Sequence, residues 1–290
     1  MKKKLSLILM ILIFLSGLGI MLYPIIGNLY MEHHQSSVIE NYEDAIDNMS
    51  DDTLKEARER AEGYNELLMG NVIITDPFDP EAQKKLEENS DYFNILNLNN
   101  DGIIGYINIP KIDVNLPIYH GTSEEVLKKG VGHLQNTSFP IGGEGTHSVL
   151  SGHTGLSSAK LFTDLNQLEE GNIFYVNVLG EKMAYKIDQI KIVEPQDTSD
   201  LMIHSDKDYI TLVTCTPYGV NSHRLLVRGT RIPYTEKVEK EIKKEEKEKV
   251  ESTWRDEYFK ALAVGLGGLA ILGIIFIMVV LIKKKGRKKE

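Results

Sequence analysis

Two runs without a charged residue, 5–26 and 261–282, stand near the two ends of the chain. Each is 22 residues long, enough to cross a hydrocarbon core of about 30 Å at about 1.5 Å per helical residue. Between them the pattern changes twice. Val38, Ile39, Tyr42, Ala45, Ile46 and Met49 recur at intervals of three and four, which predicts helices over 30–49 and, after Ser50-Asp51-Asp52, over 53–69. Thr53 with Glu56 has the spacing of a capping box. The stretch GNVIITDPFDP (70–80) has two prolines and no helical period, so it reads as a loop, with a short helix resuming over 80–88.

From 100 to 233 the pattern becomes short β-rich runs divided by Gly, Pro and Asn. Strands are predicted over 103–109, 114–119, 147–151, 173–178, 183–192, 209–215 and 224–232. The pair within 173–192 forms a hairpin around Leu179-Gly180-Glu181-Lys182. Seven or more short strands with few helices predict a mainly β domain, a sandwich or a closed barrel. The connection 152–170 is long enough to carry a helix. Residues 234–260 are rich in Lys and Glu, with i,i+4 pairs such as Glu239/Lys243, and read as a charged, solvated stalk.

Charge assigns the sides of the membrane. The tails 1–4 and 283–290 hold 9 of the 33 basic residues and 1 of the 42 acidic ones. Clustered Lys/Arg stays on the cytoplasmic side, so both termini are expected inside and the intervening domain outside. The first run shows no small-residue cleavage pattern and is expected to remain as an anchor. Excluding the tails leaves 24 basic and 41 acidic residues, a net charge of −17, which argues against nucleic acid as a partner.

An exported domain that used cysteine for stability would carry an even number; this chain has one, Cys215. Alternation along the strand from Tyr209 puts Tyr209, Thr211, Val213 and Cys215 on one face. Pro217 ends the ladder, so the thiol lies at the strand's C-terminal lip. Arg224 opens the next strand and returns beside Cys215 if the two strands are neighbours; its planar fork suits a carbonyl oxygen or an oxyanion. His223 falls on the opposite strand face. For a base, HSVLSGHTG offers His147 and His153, which alternation places on the same side. Glycine frames His153 at a strand exit, but spacing alone leaves both open. Metal sites find no support: there is no second cysteine, and the EF-hand-like opening at Asn97, Asn99, Asp101 and Gly102 has Asn108 where a bidentate Glu belongs. No cofactor is expected.

The segments TLVTC (211–215), NSHRLLVRG with Arg224, and LSGHTG with His153 resemble the sortase signature. The likeness continues through GYINIPKIDVNLPIYHGTSEEVLKKGVGH and SAKLFTDL. It implies an eight-stranded β-barrel and cysteine transpeptidase chemistry. Cys215 would be the nucleophile, His153 the general acid/base and Arg224 the group positioning substrate or oxyanion. The second anchor and Asp76-Pro77-Phe78 in the loop before the barrel resemble class C, the pilus-building sortases, in which such a lid covers the active site. Thr154 departs from the arginine often found there. The implied partners are the membrane and pilins bearing an LPxTG-like sorting signal and an acceptor lysine.

Overall fold

The computed structural model describes residues 2–68, 72–86, 91–156, 158–252, 256, 258–268, 271 and 278. Its helices are α1 (Lys2–Asp47), α2 (Asp51–Leu67), α3 (Pro80–Leu86), α4 (Glu124–Lys129) and α5 (Glu236–Lys247). Its strands are β1 (Ile103–Ile109), β2 (Val114–His120), β3 (Val131–His133), β4 (Thr146–Ser151), β5 (Ile173–Val178), β6 (Glu181–Val193), β7 (Asp208–Thr216) and β8 (His223–Ile232). The strands close into a barrel in the order β1-β2-β3-β4-β7-β8-β6-β5, which leaves no sheet edge open to another chain.

Most neighbours are antiparallel, but β2 with β3 and β4 with β7 run parallel. The barrel interior is filled by Ile107, Ile118, Leu150, Phe174, Val176, Ile210, Leu212 and Val227. A register shift between Ile103 and Gly105 re-aims the start of β1. Gly105 is needed there, because a Cβ would meet the Asn177 carbonyl oxygen at 2.2 Å.

The outer face of β1 and β5 is also buried, and the helical period explains why. Ile39, Tyr42 and Ile46 of α1 lie over Ile103, Tyr106 and Tyr175. The Tyr42 hydroxyl donates to the Ile104 carbonyl at 3.0 Å and accepts from the Leu179 amide at 2.9 Å. Helix α1 runs unbroken from the apolar run into this contact, so the predicted helix at 30–49 is its second half. Among the described residues it is the single helix long and apolar enough to cross a membrane, its most apolar 18-residue stretch having a mean hydropathy of 1.9. The expected second span, 261–282, lies largely outside the described residues.

Helix α2 is capped by Ser50, whose hydroxyl accepts from the Thr53 amide at 3.2 Å, so the cap falls three residues before the predicted Thr53. Near its other end the buried Asn65 grips the backbone of buried Phe139. The Phe139 amide donates to Asn65 Oδ1 at 2.7 Å, and Asn65 Nδ2 donates to the Phe139 carbonyl at 3.2 Å. Asn65→Ala leaves both backbone groups without a partner, and each buried orphan costs about 1–3 kcal/mol. The variant should therefore lose about 2–4 kcal/mol in urea unfolding of the detergent-solubilised chain. An unchanged midpoint would show that water replaces the clamp.

Two expectations are corrected. Among its described residues the connection 152–170 carries no α-helix, only a single 3-10 turn at Leu165–Gln167. Leu161 has a φ of +43° and Gly155 a φ of +74°, left-handed conformations that an α-helix does not contain. Leu161, Phe162, Leu165 and Leu168 are buried along this irregular path. The stretch after the barrel is not a solvated stalk at its start. Val238 and Ile242 of α5 are buried against the barrel wall, and Glu245 accepts from the Ile173 amide and from Asn172.

Candidate active site

Cys215 and Arg224 are direct cross-strand partners in the β7–β8 ladder. Opposed residues of an antiparallel pair share a face, with Cβ atoms about 4.5–5.5 Å apart. His223 pairs with Thr216 and so falls on the other side. The alternation of β7 holds: Ile210 and Leu212 enter the barrel, while Val213 faces a smaller outer cluster with Val149, Leu134, Leu201 and Leu226. Cys215 continues that outer row at its open end and is half-buried.

His153 reaches the same place by a different route. In the parallel β4–β7 ladder Ser148 lies beside Ile210 and Ser151 beside Val213. The backbone keeps step past the strand end, with the Gly152 amide donating to the Val213 carbonyl at 3.1 Å and the Thr214 hydroxyl to the Gly152 carbonyl at 2.7 Å. Continuing the register by two residues brings His153 alongside Cys215. Phe162 ties down the far side by donating its amide to the His153 carbonyl.

His147 is separated from this site by burial. It is fully enclosed, with Nδ1 at 2.9 Å from the Met202 carbonyl and Nε2 at 2.7 Å from the Thr211 hydroxyl. Burial lowers its pKa to about 4.

The segment before the barrel lies over these groups. Asp76 holds Arg224 in a two-pronged ion pair: Nε donates to Oδ1 at 2.8 Å and Nη2 to Oδ2 at 2.6 Å. Nη1 donates to the carbonyls of Asn221 and His223, so every nitrogen of the guanidinium is engaged. Pro77 is buried. The half-buried Phe78 ring stands 5.8 Å from the His153 ring and 5.1 Å from the Arg224 guanidinium. Burial pushes the Cys215 thiol up; Arg224 pulls it back and Asp76 pushes it further up. Burial also lowers the His153 pKa, against the pull of Glu124, whose Oε2 lies 3.8 Å from Nε2.

The structure thus links these groups through shared neighbours: Cys215 pairs with Arg224, Asp76 binds Arg224, and the Phe78 ring lies against both Arg224 and His153. A thiol, an imidazole and a guanidinium so arranged are the parts of a cysteine acyl-transfer site. Sequence reasoning missed Glu124, because a six-residue helix leaves too short a period to detect. Among the described residues no cluster of His, Cys, Asp and Glu is suited to a metal ion.

Comparison with known proteins bears on the family and the fold. Residues 107–232 match the sortase domain. Sortase D of Bacillus subtilis (strain 168) is 34% identical over 131 residues, covering 44% of this chain and 63% of that protein, so the chain spans less than two thirds of this curated relative. The solved sortase C-1 from Streptococcus pneumoniae is 44% identical, with a TM-score of 0.64 over 69% of this chain and 100% of that one. Sortase C1 of GBS Pilus Island 1 is 41% identical, with a TM-score of 0.61 over 70% of this chain and 94% of that one. The chain belongs to the sortase family and stands among its class C members.

Proposed function

We propose that this chain is a membrane-anchored cysteine transpeptidase that cleaves an LPxTG-like sorting signal and joins the acyl fragment to a lysine amine of a pilin, building surface pili. The observation that carries the reading is the convergence of Cys215, Arg224 and His153 from three neighbouring backbone segments beneath one covering loop. The Cys215 thiolate attacks the Thr–Gly carbonyl, with Arg224 holding the oxyanion, and His153 gives its proton to the departing glycine nitrogen. The C–N bond breaks and a thioester remains. The acceptor amine then adds to the thioester carbonyl and expels the Cys215 sulfur, while His153, now neutral, takes a proton from the nitrogen. Dividing amide exchange into two acyl transfers is what a covalent nucleophile achieves. The basic tails support cytoplasmic termini, a second span at 261–282 and a catalytic domain on the outer face.

Full-length chain in detergent, incubated with an LPxTG-like peptide and Nα-acetyl-lysine amide, should release the C-terminal fragment and form the lysine conjugate by mass spectrometry. Release with water as the only acceptor would make the chain a hydrolase and defeat the reading.

The covering loop is the resting lid. While Asp76 occupies Arg224, the guanidinium is unavailable to substrate, and apparent affinity falls with the fraction open. Asp76→Ala with Phe78→Ala removes the ion pair and a half-buried ring worth about 1–2 kcal/mol. Labelling of Cys215 by a small thiol reagent should rise about ten-fold. Removing the Asp76 charge also favours the thiolate, so the onset of labelling should move to lower pH. Equal rates in wild type and double variant would mean that the loop does not limit access.

A further inference from the structure

A groove of about 300 Å³ runs between the lid segment and α4, lined among others by Pro77, Phe78, Leu127, Glu124 and His153. Neither Cys215, Asp76 nor Arg224 lines it. It therefore approaches His153 from a different side than the one Arg224 governs. Its lining is mixed: Pro77, Phe78 and Leu127 supply apolar walls, Glu124 and Asp79 supply carboxylates, and Lys84 supplies one ammonium. Such a channel suits a long methylene stem ending in a cation, which buries the stem and pairs the head.

The carboxylate already shows this chemistry. Glu124 Oε1 holds the Lys128 ammonium at 3.0 Å, while Oε2 faces His153 Nε2 at 3.8 Å. A lysine amine carries its proton near neutral pH, with a pKa of about 10.4. It must arrive as the ammonium and be deprotonated next to the thioester.

We propose that this groove is the entry for the acceptor lysine and that Glu124 binds its ammonium beside His153. The inference rests on the transpeptidase reading and adds the acceptor's subsite to it. The ammonium pairs with Glu124 and gives one proton to neutral His153. The freed amine forms the C–N bond as the C–S bond breaks, and its second proton passes to the departing Cys215 sulfur. Burial favours the neutral form of His153, the form that takes the first proton. Lys128, bound to the same carboxylate, is an internal competitor for the site.

The test compares two acceptors with one LPxTG-like donor peptide on the full-length chain: Nα-acetyl-lysine amide, which is cationic near neutral pH, and hydroxylamine, which is not. Glu124→Gln should lower the ratio of their kcat/KM values, lysine over hydroxylamine, about five- to ten-fold, mostly through the lysine KM. Glu124→Asp should recover part of it. Lys128→Gln should move the ratio the other way, and high salt should shrink both differences. Ratios within two-fold of wild type in both Gln variants would overturn the proposal. A Glu124 that acted only by orienting His153 would slow both acceptors together and give that same unchanged ratio. If the wild-type chain joined neither amine, the transpeptidase reading itself would fail, a distinguishable result.

Discussion

Cys215→Ala should form no thioester and no conjugate, a loss of at least about 10³-fold in turnover. The chain holds a single cysteine, so no other thiol can take over. The fold should survive, because Cys215 is half-buried at the end of β7 and is not part of the barrel interior. Intact-mass analysis after incubation with sorting-signal peptide checks both points: wild type gains the acyl mass, and the variant stays at its own mass with an unaltered circular dichroism spectrum. Cys215→Ser should be almost as inactive, since an alkoxide forms far less readily than a thiolate. Thioester-dependent conjugates from the alanine variant would remove Cys215 from the mechanism.

The two histidines of HSVLSGHTG should separate activity from stability. His153→Ala removes the proton carrier and should cost about 10²–10⁴-fold in turnover with little change in unfolding. His147→Ala should do the reverse. It empties a fully buried site and orphans the Thr211 hydroxyl and the Met202 carbonyl, costing about 2–4 kcal/mol, while the folded fraction keeps most of its activity. The pH dependence of stability carries a second signature. The folded His147 pKa of about 4 lies below the ~6.5 of an unfolded chain. The unfolded state therefore takes the proton first, and stability falls as pH drops from about 6.5 toward 4. The alanine variant should lose this part of the acid sensitivity. Equal activity losses at 147 and 153 in well-folded proteins would leave the choice of base without support.

Both predictions depend on a geometry that was only partly visible in the chain. Strands β1 and β5 end where predicted because Gly, Pro or Asn flanks each run; both strands are buried on two faces, so alternation adds little there. β3 was not visible, since Val131–His133 is too short to show a period, and only its pairing with β2 and β4 makes it a strand. Charge density in the Lys/Glu stretch hid α5. Two apolar residues four apart, Val238 and Ile242, were the signal, and they were outvoted by composition. In the site, the Cys215–Arg224 pairing followed from two adjacent strands joined by a short connection. The approach of His153 did not, because β4 and β7 are separated by a whole hairpin and meet in parallel. Alternation could narrow the base to two histidines, and the likeness to sortases was needed to prefer one.

That parallel meeting of β4 and β7 has a consequence for engineering. The relative placement of thiol and imidazole is held by consecutive backbone hydrogen bonds between two wall strands, whereas the surrounding loops contribute side chains without carrying that alignment. A library confined to the β7–β8 connection at 217–222, or to α4 and the groove positions other than His153, can retarget which peptide or amine is accepted without replacing either member of the reactive pair. An insertion of one residue within β4 would be fatal at any loop sequence, since a single-step slip turns every side chain of that strand to the opposite face. Recombination between related chains should therefore keep 146–153 and 208–216 from the same parent and place its crossovers elsewhere.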